Sequence, residues 1–132
     1  MDDRNLVAVA EQAAATAKVV RGAREGATVK FEDGRVFLGC GMEYEDPALN
    51  VDAITSAIAA GRIEGARRAV RVGLYSPVAE GLPTIAPGAL RRLQEIGVPG
   101  LVVIRSSGNG AREECRLSDL LAAAGLAGRS AT

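Results

Sequence analysis

The densest group of side chains able to do chemistry is Asp52 with Thr55 and Ser56. A carboxylate with hydroxyls one helical turn away can take a proton or hold a polar ligand. Its place near a helix start also suits an anion for the dipole's sake alone. Glu43 is a second carboxylate, in an acidic run with Glu45 and Asp46. It can accept bonds from a diol or an ammonium group, or stand solvated, whereas Asp46 reads as a helix cap. Arg91, early in another helical stretch, can meet a carboxylate or phosphate, or pair with an acid of a neighbouring subunit. Arg67, Arg68 and Arg71 read as a solvated basic cluster. Cys40 needs an activating base to act as a nucleophile, and its neighbours are acidic, so it reads as a small buried hydrophobe.

Composition removes whole classes of function. The chain has 132 residues, with 16 basic and 16 acidic side chains and no histidine. Imidazole chemistry is excluded, and zero net charge gives no electrostatic case for nucleic acid or an anionic membrane. Two cysteines, Cys40 and Cys115, cannot build a four-thiolate zinc site. Gly108-Asn109-Gly110 lacks the lysine of a phosphate loop. No apolar run approaches the about 20 residues that cross a bilayer, and the first residues do not resemble an export leader, so the expectation is a cytoplasmic protein with reduced thiols.

The length fits one domain, 1–132, with 128–132 as a frayed tail. A first helix, capped by Asp2 or Asp3, carries Leu6, Val9, Ala10, Ala13, Ala14 and Ala17 at helical spacing and runs past Val19 and Val20 towards Gly22. A hairpin pairs Ala27–Phe31 with Arg35–Leu38 about Asp33-Gly34, and a loop covers Cys40–Glu45. A second helix starts near Asp46-Pro47, buries Leu49, Ala53, Ile54, Ala57 and Ile58, and ends at Gly61. Ala69–Tyr75 reads as a buried strand and Ser76–Pro87 as a loop. Gly88–Ile96 is a helix, Leu101–Ile104 a strand, Arg112–Leu117 a strand, and Ser118–Ala124 a closing helix. The order α-β-β-α-β-α-β-β-α predicts an α/β domain, a sheet with parallel pairs and helices on its faces.

On these elements the sequence resembles the small homotetrameric cytidine deaminases from Gly26 to Leu121, which implies a three-layer α/β/α domain on a five-stranded mixed sheet. Their hairpin V-G-A-A-L…D-G corresponds to Glu25-Gly26-Ala27-Thr28-Val29 and Asp33-Gly34. Their G-x-N-x-E corresponds to Gly39-Cys40-Gly41-Met42-Glu43, and their C-A-E-R-T-A to Asp52-Ala53-Ile54-Thr55-Ser56-Ala57. Their C-G-A-C-R corresponds to Pro87-Gly88-Ala89-Leu90-Arg91, and the closing T-x-x-E-L-L to Leu117–Leu121. What agrees is scaffold. The resemblance places the three zinc thiolates at Asp52, Pro87 and Leu90, the proton-carrying glutamate at Ile54, the ribose-binding asparagine at Gly41, the ribose-contacting glutamate at Glu43 and the pyrimidine-packing phenylalanine near Ala23.

Proline and leucine offer no donor to a metal, and isoleucine cannot carry a proton. The expectation is therefore a homologue without the zinc site and without a cofactor, self-assembled as the family is. It binds a small molecule through Gly41, Glu43, Asp52, Ile54, Thr55 and Arg91, or acts through its oligomeric surfaces. A metal-independent enzyme using Asp52 or Glu43 as acid/base, and a deaminase with an unorthodox site, stay open.

Overall fold

A computed structural model describes residues 2–15, 25–77 and 81–126. Helix α1 (Asp3–Ala14) is capped by Asp2, whose side chain accepts the Asn5 N–H at 2.9 Å. The expected continuation through Ala17 to Gly22, the region of Ala23 and the 128–132 tail lie outside the described residues.

Strands β1 (Gly26–Phe31) and β2 (Val36–Cys40) form the expected hairpin. Gly34 turns the chain with φ +89° and bonds back to Phe31 O at 2.9 Å. The expected loop at Cys40 is corrected: Cys40 ends β2, and Met42 makes an isolated bridge with Val51.

The second helix is also corrected. Asp46-Pro47 opens only a 3-10 turn (Pro47–Leu49), with Asp46 accepting from the Ala48 N–H, and Leu49 is 57% exposed. Helix α2 (Ala53–Ile63) starts at a new cap, Asp52, and runs through Gly61. A Cβ on Gly61 would stand 2.6 Å from the Phe31 ring, so the glycine there serves packing rather than termination.

Strand β3 (Ala69–Ser76), helix α3 (Pro87–Ile96), strand β4 (Gly97–Ser107), strand β5 (Arg112–Arg116) and helix α4 (Leu117–Ala123) complete the order. β4 starts four residues earlier than Leu101, directly at the end of α3.

The sheet order is β2-β1-β3-β4-β5, with β3 and β4 parallel and the other pairs antiparallel. Alternation sorts its two faces. Thr28 and Gly73 face α1, where Leu6, Ala10, Ala13 and Ala14 are buried and the Thr28 hydroxyl donates to Leu6 O at 3.1 Å. Ala27, Val29, Phe31, Val72, Leu74, Leu101 and Val103 face the other side, in one core with Ile54, Ala57, Leu90, Leu93, Leu117 and Leu121 of α2, α3 and α4. The three layers and five-stranded mixed sheet are as the resemblance implies.

Both layers press on glycine. A Cβ on Gly26 would stand 2.1 Å from Ala10 O of α1, and one on Gly39 2.3 Å from Ala53 O of α2. The backbone of α2 therefore lies directly on β2, which sets the head of that helix beside the end of the hairpin.

Arg71 is not a solvated member of a basic cluster. From β3 its guanidinium grips both oxygens of Asp3 at 2.6 Å and reaches Glu114 at 2.9 Å, tying α1 to the sheet. Arg68 donates to Gly97 O at 2.9 Å, the point where α3 hands over to β4.

Candidate functional site

The head of α2 collects most of the candidate residues. Asp52 is the N-cap. One of its oxygens accepts the Thr55 N–H at 2.9 Å and the other accepts the Thr55 hydroxyl at 2.6 Å. Both oxygens thus hold the first turn, and Thr55 is fixed by the same pair of bonds.

A second carboxylate, which the sequence does not single out, stands beside it. Glu25 immediately precedes β1, and its Oε1 accepts the Ala53 N–H at 2.9 Å. Its backbone carbonyl accepts the Gly41 N–H at 3.1 Å, so Glu25 and Gly41 face each other across the hairpin. Burial pushes the Glu25 carboxyl above its ordinary range, the Ala53 N–H opposes that, and the Asp52 charge adds to it. The available signal was the resemblance itself: a charged residue where the family's hairpin has valine.

Glu43 lies half-buried in the segment between β2 and the 3-10 turn, which also exposes Met42, Tyr44 and Leu49. That segment is held by the Met42–Val51 bridge and by the Tyr44 N–H donating to Asn50 Oδ1 at 2.8 Å.

Ile54 is 1% exposed and Leu90 3%, both inside the core between α2, α3 and the sheet. Pro87, exposed, forms the first turn of α3. α3 has no side-chain cap on its N-terminus, unlike α2. Arg91, on its second turn, keeps a buried Nη1 that meets no hydrogen-bond partner among the described residues.

Cys40 pairs with Gly26 beside Glu25, whereas Cys115 lies on β5. Cys40 is a half-buried free thiol at the end of β2 rather than a fully buried hydrophobe. Cys115 on β5 donates to Glu113 at 3.0 Å, and that bond to a carboxylate raises its thiol above the usual range.

Solved structures carry the same fold. A cytidine deaminase from Burkholderia pseudomallei superposes with a TM-score of 0.84 at 23% identity, over 91% of this chain and 96% of that one. The cytidine deaminase of Mycobacterium tuberculosis gives 0.78 at 26% identity, over 92% and 94%. That of Mycobacterium leprae gives 0.77 at 22%, over 92% and 98%. The fold is that of the cytidine deaminases. No protein-family model matches the sequence, and no curated protein does.

The residues at the places where the resemblance expects zinc do not fit a zinc ion. Asp52 spends both oxygens on Thr55, while Pro87 and Leu90 have no donor atom. Among the described residues no group of three or more histidine, cysteine, aspartate or glutamate side chains is placed to hold a metal. Also among them, no helix is long and apolar enough to cross a membrane.

Proposed function

We propose that this chain is a cytidine-deaminase-fold protein that has parted with zinc-dependent deamination. In this reading it binds a small molecule at the heads of α2 and α3 and assembles with copies of itself, as a homotetramer, in the cytoplasm. The observation that carries the reading is the burial of Ile54 and Leu90. Where hydrolysis would need a proton carrier and a thiolate, the chain puts hydrocarbon into its main core.

Ligand recognition then falls to the polar groups that remain. Arg91, whose Nη1 meets no partner among the described residues, offers charge to a carboxylate or phosphate, and the uncapped N-terminus of α3 beside it favours the same sign. Glu43 and Gly41 border the site from the hairpin side. The exposed Leu38, Met42 and Leu49 supply apolar surface for self-association.

The engagement of Asp52 as a cap weighs against its serving as a general base, so the metal-independent enzyme is the weaker reading. The test measures ammonia release from cytidine and melting temperature against a panel of small anionic metabolites. The proposal expects no ammonia, and a rise in melting temperature with some anion that Arg91→Met abolishes. Ammonia release by zinc-loaded protein overturns it.

A further inference from the structure

Glu25, Gly41 and Ala53 form a contact at the head of α2. The Glu25 side chain crosses from the first position before β1 to the first N–H of α2, and Gly41 lies under it. A Cβ added to Gly41 would stand 3.1 Å from Glu25 Cγ and 3.7 Å from Oε1. That separation is tighter than ordinary van der Waals contact, so any larger residue at 41 competes with Glu25 for one space. Gly41 has no positive φ to demand glycine, and the nearest atoms a Cβ there would meet all belong to the Glu25 side chain. The Ala53 N–H, free of any helical acceptor in the first turn, is satisfied by this side chain rather than by water or ligand.

We propose that Glu25 is an internal plug: its side chain fills the space over Gly41 and takes the open N–H at the head of α2, so that the chain itself occupies the hairpin side of the site. The inference deepens the reading above, because it assigns ligand binding to the α3 side, near Arg91, and makes the α2 side closed to a nucleoside. A sugar hydroxyl arriving there would meet no asparagine, and it would have to displace a carboxylate already bonded at 2.9 Å. Leaving the Ala53 N–H unpaired in a half-buried place would add to that cost.

The test is a double-mutant cycle on the full chain, read by thermal melting, with cytidine and uridine added separately. Gly41→Asn puts a side chain into the plugged space and should lower the melting temperature. Glu25→Val removes the plug, and Glu25→Val/Gly41→Asn should recover a clear part of the Gly41→Asn loss, because the two sites are coupled. Wild-type protein should show no shift with either nucleoside. Additive effects of the two substitutions overturn the plug, and so does a rise in wild-type melting temperature with cytidine. Should Gly41→Asn fail to fold, recovery of folded protein in the double variant supports the plug and failure of both counts against it. The coupling needs no anion and no turnover, so it can fail while the proposed function stands, and the reverse.

Discussion

Thr55 donates to Asp52 twice, from its backbone N–H at 2.9 Å and from its hydroxyl at 2.6 Å. The carboxylate that is most suggestive of chemistry in the sequence is, in the structure, the piece that starts α2. Removing such a cap costs about 1 kcal/mol, while asparagine caps nearly as well as aspartate. Asp52→Ala should therefore lower the melting temperature by about 3–5 °C for a domain of this size. Asp52→Asn should leave it almost unchanged. Thermal denaturation of the two variants side by side checks this, and equal losses would show that the charge, not the cap, is what matters.

Arg71 joins three elements that are far apart in the chain: its own strand β3, Asp3 at the start of α1, and Glu114 on β5. The hydrogen bonds from Arg71 hold the Asp3 carboxyl below its usual range. A carboxylate with a lowered folded-state pKa adds stability above its unfolded value, and that stability drains away as pH falls through the folded value. Arg71→Met should cost about 1–2 kcal/mol at neutral pH, discounted for the partial exposure of the pair. The difference from wild type should shrink as pH is lowered below about 4, where the unfolded carboxyl itself protonates. Urea denaturation at pH 7 and pH 3 reads both, and a difference independent of pH would remove the ion pair from the explanation.

Periodicity carried the layers well because each face of each element is chemically marked. Leu6, Ala10 and Ala13 repeat on α1, and Val29, Phe31, Val72 and Leu74 alternate on the strands, so element types and order were legible. The start of α2 was not. Asp46-Pro47 and Asp52 are both sound helix openings, and only the Met42–Val51 bridge, a contact across the chain, makes the first a single 3-10 turn. Glu25 escaped pattern reading for a related reason. A glutamate before a strand has no local pattern, and its meaning comes from Gly41 and Ala53, which the fold brings to it. Arg71 looked like part of a basic cluster because sequence shows its neighbours Arg67 and Arg68 and hides Asp3.

Glu25 should set a pH dependence of opposite sign to Asp3. Burial and the Asp52 charge hold its carboxyl above the ordinary range in the folded chain. The folded state then binds the proton more tightly than the unfolded state, so the stability linked to this group is full at low pH and falls as pH rises through the raised value. Glu25→Gln keeps an oxygen able to accept the Ala53 N–H and carries no charge. The melting temperature of Glu25→Gln minus that of wild type should grow as pH is raised from about 4 to neutrality, where the unfolded carboxyl is ionised. A difference that shrinks over the same interval would mean that the Ala53 bond, rather than burial, governs this carboxyl.

Ile54 gives the sharpest test of the proposed function. The side chain is 1% exposed among Ala53, Ala57, Ile58 and Leu90. Placing a glutamate there, the residue that the resemblance expects, would bury a carboxylate among hydrocarbon with no metal-bound water or base to meet it. An unpaired buried charge costs several kcal/mol or forces the group to stay protonated. Ile54→Glu should therefore lose at least about 3 kcal/mol at neutral pH, a large share of a typical domain's stability. Part of the loss should return as pH falls and the carboxyl takes up a proton. Ile54→Leu, of equal volume, should cost less than about 1.5 kcal/mol. Chemical denaturation of both variants at neutral and acid pH measures the contrast. A stable Ile54→Glu protein at neutral pH would mean that water and polar partners reach this position, and would count against the proposed function.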